Sequence, residues 1–276
     1  MKRLNARLIV SDFDGTLLNS RHKISDEVRD TINAYVADGG IFAVCTGRIL
    51  SSILPQVRSL GLKGRVIACQ GTQIADIESG EIIRCGGLDY LQSEEVCRAI
   101  EESGFYVNAF VGDIMLTSIP ADNKYLKQYK DITGVASRSL DVPVSVYVQQ
   151  NMLTCQKIAS LCAAQDRERL YNILQKKLGG KYDVTCSADV LVEVSPINDN
   201  KGAGLKYLAD YYGIPIEKTV AIGDNLNDVS MILAAGTGVA VGNAVEGLKA
   251  VADCVTVTND EGAVAQAIKE FGYIND

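Results

Sequence analysis

The feature that most restricts the fold of this chain is an apolar run that ends abruptly in acids: Leu8-Ile9-Val10-Ser11-Asp12-Phe13-Asp14-Gly15-Thr16. Leu8, Ile9 and Val10 are β-formers without an exposed polar face, which predicts a strand buried in a parallel sheet. Gly15 permits the sharp turn that must follow. Open parallel sheets hold ligands at the carboxyl ends of their strands, so Asp12 and Asp14 arrive where a site is expected. Two carboxylates this close raise each other's pKa unless a cation stands between them, and hard oxygen donors at such spacing suit Mg2+. The chemistry they point to is metal-assisted attack on an anionic substrate.

The same strand–helix unit recurs. A helix is expected over 26–37, with Ser25 as N-cap and Gly39-Gly40 as its stop, then a strand over 41–45 ending on Thr46-Gly47-Arg48. A helix over 50–60 and a strand over 65–69 follow, the latter ending on Gln70-Gly71-Thr72, and a hairpin turns at Glu78-Ser79-Gly80. From about 88 to 188 the alternation stops. Helices are expected at 94–103, 122–130, 153–163 and 166–178, with strands at 105–110, 114–117, 144–149 and 182–186, a mixture that suggests an α+β insert around an antiparallel sheet. A strand over 190–194 precedes Asn200-Lys201-Gly202, which opens a helix to 212 and sets Lys201 near the positive end of its dipole. Strands at 219–222, 238–241 and 254–257 restore the first pattern, and the first of them ends on Gly223-Asp224-Asn225-Leu226-Asn227-Asp228. The expected architecture is an α/β, Rossmann-like, doubly wound parallel core built from residues 1–84 and 190–276, interrupted by an α+β domain at 85–189, with chain crossings near 84–88 and 187–196.

Charge narrows the partners. A net charge of −7 without any Lys/Arg-rich run offers no footprint for nucleic acid or an anionic membrane. No apolar run approaches the ~18 residues of a membrane span, and Met1-Lys2-Arg3-Leu4-Asn5 leads into the first strand without a secretory segment, so a cytoplasmic protein is expected. The eight cysteines, 45, 69, 85, 97, 155, 162, 186 and 254, are scattered with no CxxC pair and read as reduced, buried thiols. The single histidine, His22, lies between Arg21 and Lys23 in a polar turn and reads as a solvated loop residue, which leaves no basis for a Ser-His-Asp or His-ligated zinc mechanism.

Taken singly, the strand ends are ordinary. Asp-x-Asp occurs as solvated acids at turns, Thr-Gly-Arg is common where a strand becomes a helix, and Asp224-x-x-Asn227-Asp228 can cap the helix after it. Gathered at the carboxyl ends of one sheet, two acidic groups, a hydroxyl and a cation are another matter. Together, Asp12-Phe13-Asp14-Gly15-Thr16, Thr46-Gly47-Arg48, Lys201-Gly202 and the Gly223–Asp228 cluster resemble the haloacid dehalogenase superfamily, in order and spacing its Cof-like branch of phosphatases with a large cap. Val241-Gly242-Asn243-Ala244 and Thr258-Asn259-Asp260-Glu261-Gly262 add to that similarity.

The resemblance implies a Mg2+-dependent phosphatase acting on a small phosphorylated metabolite, a sugar phosphate above all, with the insert as a cap that sets specificity. It implies Asp12 as the nucleophile that becomes an aspartyl-phosphate, and Asp14 as the acid and then base that serves the leaving oxygen and the attacking water. Mg2+ would be held by the side chains of Asp12 and Asp224 and the carbonyl of Asp14, with Asp228 acting through the metal's waters. Thr46, the Gly47 amide, Arg48, Lys201 and Asn227 would bind the phosphoryl group and substrate. A monomer or weak homo-oligomer is expected.

Two places depart from the family pattern: Gln70-Gly71-Thr72 where relatives often have Asn-Gly-Ala, and Asn198-Asp199-Asn200 ahead of the lysine. The insert's Tyr90, Tyr106, Tyr125, Tyr129, Tyr147, Tyr171 and Tyr182 suit a sugar-binding floor, though core packing accounts for any one of them more readily. The competing functions are a phosphomutase or phosphotransferase on the same machinery and a non-catalytic metabolite-binding regulator, which the presence of Asp12 and Lys201 disfavours. A receiver-type domain is too short for this chain, and no GxGxxG follows the first strand to support a dinucleotide-binding dehydrogenase.

Overall fold

The computed structural model describes residues 3–188, 190–197 and 199–274; Met1 and Lys2 of the N-terminal reading, the boundary residue Asp189 and Asn198 lie outside the described residues. The chain runs through β1 (Leu8–Asp12), α1 (Asp26–Ala37), β2 (Ile41–Cys45), α2 (Leu50–Ser59), β3 (Arg65–Ala68) and the hairpin β4 (Gln73–Asp76) and β5 (Ile82–Cys85). It continues through α3 (Tyr90–Glu102), β6 (Asn108–Val111), β7 (Ile114–Thr117), α4 (Lys124–Thr133), β8 (Ala136–Ser139) and α5 (Val144–Gln150). Next come β9 (Lys157–Leu161), α6 (Ala164–Leu178), β10 (Tyr182–Ala188) and β11 (Leu191–Pro196). It ends with α7 (Lys201–Tyr211), β12 (Thr219–Gly223), α8 (Val229–Ala234), β13 (Thr237–Ala240), α9 (Glu246–Lys249), β14 (Cys254–Val255) and α10 (Ala263–Phe271).

Two compact units result. The first comprises Met1–Gly47, Ile53–Arg84 and Asn200–Asp276, the second Arg48–Ser52 and Cys85–Asp199. Among the described residues the first unit holds an eight-stranded sheet ordered β14-β13-β12-β1-β2-β3-β4-β5, parallel from β14 to β3 and antiparallel where β4 turns back along β3. Leu8, Ile9 and Val10 are fully buried, as a strand apolar on both faces must be. The order reverses between β1 and β12, and at such a switch point the two following connections diverge and leave a crevice at the strand ends. Local chemistry sets the helix starts: Ser25 caps α1 by accepting the Val28 N–H at 3.3 Å, and Asn200 caps α7 by accepting the Ala203 N–H at 2.9 Å.

The second unit packs α3, α5 and α6 on one face of a sheet ordered β10-β11-β9-β6-β7-β8. Its pairs are antiparallel except β7 with β8, which is parallel. Three expectations are corrected here. The stretch 144–149 is helical: Val144, Ser145 and Val148 are buried at helical spacing, and Ser145 binds Glu101 of α3 through its N–H and hydroxyl at 3.2 and 2.5 Å, so tertiary packing overrides its β-branched composition. The stretch 153–163 is not helical but contains the central strand β9, buried at all five residues, which removes the alternation by which strands are recognised. Finally, β11 lies between β10 and β9, so the second unit extends to Asp199 and the return crossing falls after β11. An apolar strand carries no local mark of the sheet it will join.

The eight cysteines are thiols, five of them buried, whereas Cys85 and Cys186 are exposed and Cys254 is half-buried, against the expectation of burial throughout. His22 is exposed in a turn, its N–H donating to the Asn19 carbonyl at 2.9 Å. Among the described residues no helix is long and apolar enough to cross a membrane.

Candidate active site

Asp12 ends β1, in register with Cys45 of β2, and is buried. The chain must leave the sheet immediately afterwards, and does so through Phe13 and the solvent-exposed Asp14 into Gly15, whose φ is +88°. That left-handed conformation suits glycine, and a Cβ there would lie 2.6 Å from Asp224 Oδ2. The turn is thereby brought against the loop after β12. Thr16 closes the contact, its hydroxyl donating to Asp224 Oδ1 at 2.7 Å.

Lys201 opens α7 and is one of the largest fully buried side chains in the molecule. Its ammonium donates to Asp12 Oδ1 and, at 2.6 Å, to Asp228 Oδ1. Asp228, itself buried, accepts the N–H groups of Asp224 and Asn225 on its other oxygen at 2.9 and 3.0 Å. One carboxylate therefore orients the lysine and fixes the loop that carries the third acid. Oxygens of Asp12, Asp224 and Asp228 lie within 4.8 Å of one another.

The charges are strongly perturbed. Burial pushes the Asp12 carboxyl well above the usual carboxylate range; Lys201 pulls it back, and Asp228 and Asp224 push it higher. Burial likewise raises Asp224. Lys201 is held above its ordinary value because Asp12 and Asp228 outweigh a burial that alone would lower it. Three acids against one ammonium leave an excess of hard oxygen donors around the turn that Gly15 keeps clear, a donor set that could hold a divalent metal.

The remaining expected residues are distributed more widely. Thr46, at the end of β2, is buried; its N–H donates to the Ile67 carbonyl at 2.8 Å and its own carbonyl accepts the Gln70 N–H at 3.1 Å. Gly47 follows it, so close to Gln70 that a Cβ would stand 2.6 Å from the Gln70 Nε2. Asn227 is half-buried in the short turn Leu226–Asp228, between the two acids of its loop. Arg48 falls in the second unit with 49–52, where Ser52 donates to the Thr133 carbonyl. The structure thus brings together Asp12, Asp224, Asp228 and Lys201 directly, with Asp14, Thr46, Gly47 and Asn227 on the same set of strand ends.

The sequence model that describes a haloacid dehalogenase-like hydrolase matches residues 9–268. This chain belongs to that family. It is 34% identical over 287 residues to the phosphatase YwpJ of Bacillus subtilis, across 96% of this chain and 99% of that one. It is 29% identical over 272 residues to the 5-amino-6-(5-phospho-D-ribitylamino)uracil phosphatase YcsE of the same bacterium, across 97% and 96%. The solved structure of a haloacid dehalogenase-like hydrolase from B. subtilis superposes with a TM-score of 0.82 at 30% identity, covering 95% of this chain and 99% of that one. The protein is an enzyme, a phosphatase of the haloacid dehalogenase type, with an inserted α+β domain.

In this hydrolase, two further asparagines support the turn that follows Asp12. Asn243 donates to the Gly15 carbonyl at 2.9 Å and accepts the Asn259 N–H at 2.9 Å, and Asn259 donates to the Leu18 carbonyl at 2.8 Å. Both stand in motifs that resemble the family's, after the ends of β13 and β14, and that position is the local signal they carry. Thr16 was likewise visible in the first motif, but a hydrogen bond to an acid 208 residues away leaves no local trace.

Proposed function

We propose that this phosphatase hydrolyses a small phosphorylated metabolite, a sugar phosphate, by a Mg2+-dependent reaction through an aspartyl-phosphate on Asp12. The observation that carries the reading is the buried Asp12 carboxylate held by Lys201, with Asp224 and Asp228 close around it. In the first step an Asp12 oxygen attacks phosphorus while the bond to the leaving oxygen breaks, and Asp14 delivers the proton that the alcohol needs. In the second, Asp14 takes a proton from water, whose oxygen attacks phosphorus, releasing inorganic phosphate and restoring Asp12. The exposure of Asp14 suits a group that must exchange protons with solvent. Thr46, the Gly47 amide, Lys201 and Asn227 hold the phosphoryl oxygens, and Arg48 is a further substrate-binding residue.

Asp12, Asp224 and the Asp14 carbonyl are the groups that would hold Mg2+, and Asp228 steadies that loop while fixing Lys201. When bound, Mg2+ supplies charge neutralisation at the phosphoryl group, which the local acids would otherwise repel. A sugar phosphate is supported by the name of the YcsE relative, whose substrate carries its phosphate on a ribityl chain. Residues 85–199 are the cap that selects the substrate. The seven cap tyrosines do not support a single aromatic floor: Tyr182 is buried with its hydroxyl 2.6 Å from Glu95, Tyr129 packs edge-on against Phe110, and Tyr106 is exposed. A cytoplasmic location, supported by eight thiols without a disulfide, and a monomeric or weakly associating state complete the proposal.

The test is phosphate release from sugar phosphates, nucleotides and a chromogenic ester, with and without Mg2+, for wild type and Asp12→Asn. Mg2+-dependent turnover that falls on the order of 10⁴-fold or more in the variant is expected. Turnover that survives the substitution would refute the aspartyl nucleophile.

A further inference from the structure

One buried donor beside the candidate site lacks a partner: the side-chain amide nitrogen of Gln70. Gln70 is 7% exposed. Its Nε2 lies over Gly47, in the space where any other residue would carry its side chain. The backbone that holds it there is unusual. Cys69 and Gln70 both have positive φ, +49° and +56°, in a region uncommon for residues other than glycine, asparagine and aspartate. The Gln70 N–H is also tied to the carbonyl of Thr46. A left-handed turn therefore presents an unsatisfied amide to the two residues assigned above to the phosphoryl group. Both the strain and the orphan donor oppose stability, and such outliers gather where a ligand supplies what the protein withholds.

We propose that Gln70 is a substrate-contacting residue whose Nε2 donates a hydrogen bond to an oxygen of the phosphoryl group bound at Thr46 and Gly47, an inference that rests on the phosphatase reading. Phosphoryl oxygens accept several hydrogen bonds each, and a neutral amide adds one without adding charge. Gly47 is needed for the same reason: its bare Cα leaves room for the amide.

The experiment compares wild type, Gln70→Met and Gln70→Glu for Mg2+-dependent phosphate release and for competitive inhibition by inorganic phosphate, with the melting temperature of each. Methionine keeps the length and removes the donor. Its melting temperature should equal or exceed that of wild type, because an orphan polar group is gone, while the Ki for phosphate rises about ten- to a hundredfold. Glutamate sets a carboxylate against the phosphoryl dianion and should raise the Ki further. A folded Gln70→Met with wild-type phosphate Ki and kcat/KM overturns the proposal and leaves the phosphatase reading intact, since a glutamine that only packs predicts that result. Should the methionine variant fail to fold, the Glu variant decides by the same two constants. Wild-type enzyme with no Mg2+-dependent release overturns the phosphatase reading and this inference with it.

Discussion

Among the described residues two lysines are buried against carboxylates, one in each unit, and they are not equivalent. Lys201 joins Asp12 and Asp228 at the ends of parallel strands, where the sheet order reverses. Lys157 joins Glu193 at 2.5 Å within the second unit's sheet, both side chains 3% exposed, with the ammonium 4.9 Å from the centre of the Phe110 ring. Removing two charges from water costs several kcal/mol per ion, so neither pair is by itself a stabilising device or a mark of catalysis. What separates them is the surroundings. Around Lys201 the acids outnumber the cation and Asp224 adds a third carboxylate. Lys157 pairs with Glu193 on a neighbouring strand, and one oxygen of that carboxylate has no hydrogen-bond partner.

Of the two lysines, Lys201 should give the larger effect when removed. Lys201→Met deletes the positive charge that opposes Asp12 and Asp228, and a preorganised donor of this kind is worth about a hundred- to a thousandfold in turnover. Breaking a buried pair by removing one partner also costs about 3–5 kcal/mol, because the other charge stays buried. The comparison sharpens when metal is varied. In Lys201→Met the fall in melting temperature should be greater in EDTA than in saturating Mg2+, since acids relieved of the competing ammonium should bind the cation more tightly than in wild type, and binding to the folded state stabilises it by mass action. An equal fall in both conditions would mean that the acids bind the metal no more tightly once the lysine is gone.

Lys157 supplies the contrast. Lys157→Met should destabilise by about 3–5 kcal/mol, and Mg2+ should not repair the loss. The double variant Lys157→Met/Glu193→Leu should regain most of the stability, because apolar side chains of similar volume replace the pair without leaving a charge behind. Thermal denaturation of the two variants in EDTA and Mg2+ checks both statements. A double variant no more stable than the single one would show that the pair orders the sheet in a way packing cannot replace.

The same comparison explains which parts of the molecule were legible in its sequence. The first unit was readable because each parallel strand is an apolar run stopped by polar residues, and the candidate site residues stand at the stops: Asp12, Thr46 and the Asp224–Asp228 loop. The second unit's signals conflict. Val144–Gln150 carries strand-forming residues yet is folded as a helix by its contact with Glu101, and β9 buries Lys157 at its start and Ser160 within it beside its apolar residues. Strand β11 could not be allotted to a sheet from its own residues. In the site, the acids and lysine were visible as motifs, whereas Thr16, Asn243 and Asn259 act through contacts with residues distant in the chain. Gln70 was visible only as a departure from a pattern.

The smallest effect belongs to pH, and it tests the charge excess around Asp12 directly. Asp12 and Asp224 have raised pKa values, burial being the largest cause for each, while in the unfolded chain aspartates titrate near ~4. Between that value and the raised ones the native state binds more protons than the unfolded state, so the stability contributed by these groups falls as pH rises. Lys201, raised above an already alkaline value, keeps its full contribution through this window and loses it only in strong alkali. Asp76 and Glu95, lowered in the fold, act with the opposite sign and mainly below the window. Asp183, raised by burial in the second unit, adds to the same fall. Metal-free wild type should therefore lose melting temperature as pH rises above the unfolded aspartate value, with Lys201 limiting the size of the loss. Asp12→Asn removes one of these protons and should flatten the slope, and Mg2+, which takes the proton's place on the carboxylates, should flatten it in wild type. Identical slopes for wild type and Asp12→Asn in EDTA would mean that the buried carboxyl at the end of β1 is already ionised across that range, with Lys201 alone sufficient to hold its charge.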